Sequence, residues 1–320
     1  MNTFNSFLII QYYNIPSDER AQCSLLGEEI FSNIEEAFIP DLVKKDPKAF
    51  LVKKFNGKDN YTWIVKGISK KQGGDITLYE VLLDEYESSV PEISLHETIY
   101  KSSLGPKKTA SLLYTGTLVD VNFGLTQSVI KDGLIKKTKR YHSVVQNNEM
   151  RKKRLGIVIK VLENDKVQVV PITSRDPGID KSTFQLSRQS LDPLVFYGTS
   201  GKNSWGLCNM IQTVDITRIF PPLTKKIIKK SKTDLSQPSV LYIRDQSYKV
   251  RLSSIDKTKL FTSLLATSSP DNYLELLEIK NNFLTIKKDL EESLKKIQEL
   301  KDYQIICDAY GLTLDDLPDK

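Results

Sequence analysis

The sequence is poor in the side chains that most often hold metal ions or form disulfides. It has two histidines, His96 and His142, and three widely spaced cysteines, Cys23, Cys208 and Cys307. No CxxC pair or Cys/His cluster occurs, which argues against a disulfide framework and a structural zinc site. Two histidines also exclude most nucleases that bind metal through several imidazoles. We therefore predict neither a metal nor another cofactor.

Long apolar runs are absent as well. The longest stretches, such as residues 7–10, span only a few residues, whereas a membrane helix needs roughly 20. The N-terminus shows no basic region ahead of an apolar core, so no signal peptide is predicted. These absences predict a cytoplasmic protein with no membrane partner.

Charge is distributed unevenly along the chain. The net charge of +6 is modest and is compatible with ordinary solubility. Residues 131–154, however, hold nine basic side chains against Asp132 and Glu149, a local excess of seven. A focused basic patch suits a polyanion, because binding releases the counterions of its phosphates. The basic residues are Lys131, Lys136, Lys137, Lys139, Arg140, Arg151, Lys152, Lys153 and Arg154.

The pattern of apolar residues predicts four segments and an α+β fold. Residues 1–108 are predicted to form an α/β region, with a helix capped by Ser17 and running to Phe38, and a hairpin turning at residues 70–75. Residues 109–222 hold short β-type runs, among them 155–162, 166–172 and 184–186, separated by turn signals such as residues 163–165, and this is typical of a compact barrel. A basic linker is predicted for residues 223–238, followed by a C-terminal region, residues 239–320, with a hairpin at residues 240–252 and an amphipathic helix.

The C-terminal helix carries apolar residues on one face for about three heptads. They are Ile279, Phe283, Ile286, Leu290, Leu294 and Ile297. This spacing indicates a coiled coil or a helix that docks on another element. An amphipathic helix that packs on its own domain is an equal alternative.

Five dispersed elements stand out in the segment from about Tyr114 to Pro222. They are residues 119–124 (VDVNFG), Glu149 five residues before Arg154, residues 155–159 (LGIVI), residues 169–174 (VVPITS) and residues 207–219. In this order they resemble the MazF/PemK toxin family. They are similar to its first strand and turn, its Glu/Arg element, the strand that follows this Arg, a strand that ends in a catalytic Thr or Ser, and its last strand.

The resemblance implies a central SH3-like small β-barrel and a toxin endoribonuclease. Such an enzyme cleaves single-stranded RNA without metal, by attack of the 2′-OH, and leaves a 2′,3′-cyclic phosphate and a 5′-OH. Carried over by position, Arg154 and Thr173 are the catalytic pair, with Glu149, Ser174 and Arg151 as supporting candidates. The family also implies an antitoxin partner and a homodimer.

The two catalytic candidates suit this chemistry in physical terms. Arg154 supplies fixed positive charge and planar donors for phosphate oxygens, and the Thr173 hydroxyl can donate to the same oxygens or orient the 2′-OH. Since no histidine lies at either motif, we expect slow catalysis dominated by electrostatics. Predicted RNA-binding residues are Lys136, Lys137, Lys139, Arg140, Lys152, Lys153, Asn209 and Gln212.

Two features depart from the family pattern. Leu155 follows Arg154 where the family usually has Pro, and residues 124–149 form a long insertion where it has a short loop. The insertion suits extended RNA contact, a barrel reused as a binding module, or a disordered surface loop. The alternatives to the enzyme are thus a catalytically silent nucleic-acid-binding module and a regulatory protein of a toxin–antitoxin, phage-defence or mobile-element system.

Overall fold

A computed structural model describes the chain at residues 7–16, 22–40, 49–86, 90–101, 109–131, 134–137, 141–146, 149–198, 201–228, 239–268 and 273–311. The strands are β1 Phe7–Asn14, β2 Ser24–Ser32, β3 Glu36–Pro40, β4 Ala49–Val52, β5 Thr62–Gly73, β6 Ile76–Glu85, β7 Leu118–Asn122, β8 Gln127–Lys131, β9 Leu134–Lys137, β10 Lys153–Val161, β11 Lys166–Thr173, β12 Thr183–Gln185, β13 Trp205–Leu207, β14 Gln212–Asp215, β15 Ile219–Phe220, β16 Leu223–Ile228 and β17 Ser239–Arg244. The helices are α1 Leu95–Tyr100, α2 Thr109–Leu112, α3 Arg188–Leu191, α4 Val195–Gly198, α5 Ser254–Ser268 and α6 Tyr273–Tyr310.

The fold is α+β and mostly strands, with a curled half-barrel sheet and a long C-terminal helix. The N-terminal strands form a separate five-stranded sheet in the order β2-β1-β6-β5-β4. Alternate residues of β1 are buried, as expected for a strand with one covered face. Trp63, Tyr79 and Leu83 fill this core. The predicted hairpin is confirmed, because β5 and β6 pair and turn at Gly74 with φ +57°.

The predicted helix ending at Phe38 is wrong. Residues 24–32 form β2, which pairs antiparallel with β1, and residues 36–40 form β3. Ser17 lies outside the described residues. Leu25 and Ile30, two of the apolar residues whose helical spacing suggested that helix, are 51% and 60% exposed. The helix-like spacing of these apolar residues therefore does not mark a buried helix face. Pairing with the neighbouring strand β1 decided the structure of this segment instead of the local pattern.

The curled sheet follows the order β12-β13-β11-β10-β7-β15, and β14 pairs with β11 beyond this path. The β-type runs predicted at residues 155–162, 166–172 and 184–186 correspond to β10, β11 and β12. Asn164 and Asp165, both with φ +55°, make the predicted turn between β10 and β11.

Elements outside residues 109–222 help to bury both faces of the curled sheet. One face packs on Leu95 and Ile99 of α1 and on Tyr248. The other face packs on α3 and on Leu260 of α5, which is fully buried. The sheet therefore packs on residues from beyond both predicted boundaries, before residue 109 and after residue 222.

The insertion at residues 124–149 contains a hairpin, so the disordered-loop alternative is wrong for its described part. Strands β8 and β9 pair with each other, and β8 pairs with β3 of the N-terminal region. Lys131 forms ion pairs with Glu35 and Glu36, and the Tyr141 ring packs edge-on against Phe38. The insertion thus joins the N-terminal region to the curled sheet.

Two predictions for the C-terminal third also need correction. The predicted linker begins with strand β16, which pairs with β17, and residues 229–238 lie outside the described part. The predicted hairpin at residues 240–252 does not form. After a turn at Asp245, Val250 accepts a hydrogen bond from the Leu118 amide. The C-terminal helix is present as α6, and none of the described helices is long and apolar enough to cross a membrane.

Candidate functional site

The two predicted catalytic residues lie on neighbouring strands, two residues past the last pair between those strands. Strands β10 and β11 are antiparallel, with Gly156 opposite Pro171 and Ile157 opposite Val170. Extending this register by two residues places Arg154 opposite Thr173. Directly opposed residues project to the same face of a sheet, so both side chains belong to the face that packs on α1.

The two strands separate where these residues lie. Past Gly156, β10 keeps only β7 as its partner, with Arg154 opposite Val121. Strand β11 keeps only β13, with Thr173 opposite Trp205. The backbone between Arg154 and Thr173 is therefore open to another group.

The Tyr197 hydroxyl occupies this opening. It accepts a hydrogen bond of 3.1 Å from the Leu155 amide, the next donor on β10 after the ladder ends. Burial and the charge of Asp120 raise the pKa of Tyr197 to about 12, although the Leu155 amide and Arg154 oppose the rise. The hydroxyl therefore stays protonated at neutral pH and cannot serve as a general base.

Arg154 is half-buried and keeps much of its donor capacity. Its Nε donates to the Arg151 carbonyl at 3.0 Å, which orients the guanidinium. Within the described part of the chain, no carboxylate forms an ion pair with it. Arg151 itself donates to the Thr126 hydroxyl at 3.0 Å and so contacts the insertion as well.

Thr173 ends β11 with its hydroxyl already oriented. Its Oγ1 accepts a hydrogen bond from the Arg175 amide at 3.1 Å. Because the oxygen acts as acceptor, the hydroxyl hydrogen is left to point elsewhere. The neighbouring Ser174 is exposed in the bend that follows.

Glu149 and Lys152 shape the chain ahead of Arg154. The Glu149 carboxylate accepts a hydrogen bond from the Gln146 amide at 2.8 Å. Lys152 has a φ of +67°, and its amide donates to the Gly124 carbonyl at 2.6 Å. The hydrogen bonds of both residues thus hold the backbone of the segment that precedes Arg154.

Lys153, predicted to bind RNA, belongs to a buried charge cluster. It forms an ion pair with Glu92 and lies 4.2 Å from the centre of the Phe220 ring. Arg244 donates to Glu92 at 2.8 Å and to Asp120 at 2.9 Å. Burial raises the pKa of Asp120, and the hydrogen bond and charge of Arg244 oppose that rise.

The remaining predicted RNA-binding residues are spread out. Lys136 is exposed on β9, and Lys137 ends that strand. Lys139 and Arg140 lie outside the described residues. Asn209 is exposed but donates to Asp180 at 2.9 Å, and Gln212 begins β14 opposite Val169.

A cavity of about 460 Å³ lies where the N-terminal sheet meets the start of the insertion. Thr126, the hydrogen-bond partner of Arg151, lines it. Aromatic rings and side-chain amides line its wall, among them Tyr12, Phe38, Phe50, Asn122 and Gln127.

Tyr197 is the site residue that the sequence did not reveal. It lies 24 residues beyond Thr173 in the short helix α4, and no motif marks it. Its place depends on the gap between β10 and β11, which only the tertiary structure shows. Among the described residues, no group of three or more His, Cys, Asp or Glu side chains is arranged to hold a metal ion.

Comparison with known proteins adds no relative. No protein-family model matches the chain, and no curated protein matches it.

Proposed function

We propose that the protein is a metal-independent endoribonuclease of the MazF/PemK type, acting on single-stranded RNA in the cytoplasm, and that the curled sheet is its version of the SH3-like barrel. One observation carries the proposal. Arg154, without a carboxylate partner in the described part of the chain, and Thr173 lie at matching positions just past the point where β10 and β11 stop pairing.

The proposed reaction divides the work between two side chains. The Arg154 guanidinium stabilises the charge that builds up on the phosphorane when the 2′-OH attacks. The Thr173 hydroxyl donates to a non-bridging oxygen, because its own oxygen is occupied by the Arg175 amide. The products are a 2′,3′-cyclic phosphate and a 5′-OH. A cognate antitoxin protein is part of the same proposal.

Cleavage of a single-stranded RNA in EDTA buffer tests the proposal. We expect Arg154→Ala to lower the cleavage rate by about 100-fold or more, the usual cost of losing a charge-stabilising donor. Thr173→Val keeps the shape of the side chain, removes the hydroxyl and is expected to have a smaller effect. Arg218→Ala, an exposed arginine of the same region, is the matched control and should keep full activity.

The end groups of the products decide the mechanism. A 2′,3′-cyclic phosphate supports attack by the 2′-OH, whereas a 5′-phosphate product contradicts it. RNA cleavage that disappears with EDTA, or that persists in Arg154→Ala, contradicts the proposal.

The cavity lined by Thr126 favours a second candidate function, a nucleic-acid-binding module without catalysis. Its aromatic rings offer surfaces on which unpaired bases stack, and its amides offer hydrogen bonds to base edges. Protein that retards intact RNA in a gel, and loses this property in Phe50→Ala, supports the binding module.

A further inference from the structure

Helix α6 carries a long apolar stripe that nothing in the described part of the chain covers. Its first two turns pack on α5, where Lys280 Nζ donates to Thr262 Oγ1 at 3.2 Å. From residue 281 to residue 306 every residue is exposed. The helix is 38 residues long, and an amphipathic helix in water gains most of its stability by burying its apolar face.

The stripe follows the heptad repeat of a coiled coil. Leu276, part-buried near α5, holds an a position, and the repeat then alternates steps of three and four residues to Leu300. One d position, Ser293, is polar, and the apolar side chain at this turn is that of Leu294 at the neighbouring e position, which is 56% exposed. The heptad stripe consists of Ile279, Phe283, Ile286, Leu290, Ile297 and Leu300, which are 49–65% exposed. It extends for about 32 Å at 1.5 Å per residue.

The period of the stripe specifies the kind of partner. On a straight helix with 3.6 residues per turn, a strict seven-residue repeat drifts by about 20° per heptad. It stays in contact only with a second helix that supercoils around the first. Charged residues flank the stripe: Lys287 pairs with Glu291 at 3.9 Å, and Lys288 pairs with Glu292 at 3.8 Å.

We propose that the partner is a second copy of this chain and that α6 makes the protein a two-stranded coiled-coil homodimer. A second copy supplies a stripe of the same period, length and apolar content. Closed twofold dimers are also the commonest way in which soluble chains bury such a surface. This dimer does not rest on the proposed ribonuclease activity, and either proposal can fail alone.

Two substitutions at matched positions of the helix test the stripe. Leu290 is 57% exposed and lies on the stripe, whereas Leu284 is 53% exposed and lies off it, at a b position. Sedimentation of the full chain is expected to give the mass of two 36.4 kDa copies. We expect Leu290→Glu to raise the dissociation constant by about 100-fold, because it places a carboxylate in the core of the coil. Leu284→Glu should stay dimeric.

A third variant tests the stripe in the opposite direction. Ser293→Leu completes the row of apolar side chains and is expected to tighten the dimer by about tenfold. This gain cannot result from unfolding of the chain. Wild-type protein that sediments as a single chain at micromolar concentration overturns the proposal. So does a Leu284→Glu variant that dissociates as readily as Leu290→Glu, or a Leu290→Glu variant that stays dimeric.

Discussion

Asp256 on α5 is a buried carboxylate that fastens the C-terminal region to the curled sheet. It is fully buried, and one of its oxygens accepts three hydrogen bonds from the loop around α3. The donors are the Ser187 amide at 2.8 Å, the Ser187 hydroxyl at 2.7 Å and the Ser190 hydroxyl at 2.6 Å. Lys259 reaches the other oxygen at 3.3 Å. We expect Asp256→Ala to loosen this junction strongly.

The size of the effect follows from these contacts. A hydrogen bond to a charged group contributes about 1.5–3 kcal/mol, and the cost of burying the carboxylate offsets part of the total. The substitution also leaves the Ser187 amide and the Ser190 hydroxyl without their acceptor. We therefore expect Asp256→Ala to lower the free energy of unfolding by about 3–5 kcal/mol.

Urea denaturation followed by circular dichroism measures this loss. Asp245→Ala is the matched control, because Asp245 also accepts from a backbone amide and a serine hydroxyl, but only those of Ser247 in its own turn. We expect about 1 kcal/mol for that variant. If Asp256→Ala costs no more than Asp245→Ala, the junction is not held by the carboxylate and the reasoning fails.

Two further predictions concern pH and packing. Burial raises the pKa of Asp256, but the hydrogen bonds from Ser190, Ser187 and Lys259 outweigh it and leave the pKa below its ordinary value. Because the pKa of Asp256 is lower in the folded than in the unfolded chain, its ionised form adds to the free energy of unfolding above the unfolded-state pKa of about 3.9, and this contribution is lost as the pH falls below that value. The difference in the free energy of unfolding between wild type and Asp256→Asn should therefore shrink below about pH 4. A difference that stays constant there contradicts the prediction. A Cβ on Gly206 would lie 2.7 Å from the Phe184 ring. We therefore expect Gly206→Ala to lower the free energy of unfolding by about 1–3 kcal/mol, measured by thermal denaturation. An unchanged melting temperature would show that the ring moves aside freely.

The strands of the curled sheet were predictable because their signals are local. Apolar runs bounded by turn residues marked β10 and β11, and Asn164-Asp165 marked the turn between them. The helix predicted to end at Phe38 failed for the converse reason. Its apolar residues had helical spacing, but β1 offered a strand edge that the local pattern does not contain.

The candidate site residues were selected from the sequence by resemblance to a family. Arg154 and Thr173 lie two residues past the last pair of β10 and β11, and their catalytic role stays a prediction. The prediction that Lys153 binds RNA shows what the sequence could not reveal. The charge of this lysine suggested contact with RNA, yet Lys153 pairs with Glu92, 61 residues earlier in the chain.

By itself, the sequence determined the properties that depend on neighbours along the chain. These are the short strands and turns of residues 155–173, the concentration of positive charge in residues 131–154, and the heptad repeat of α6. Only the tertiary structure decided which distant groups meet. The Tyr197 hydroxyl fills the gap between β10 and β11, and the insertion pairs with β3. Such contacts depend on how strands and helices pack across the core, which no local pattern encodes.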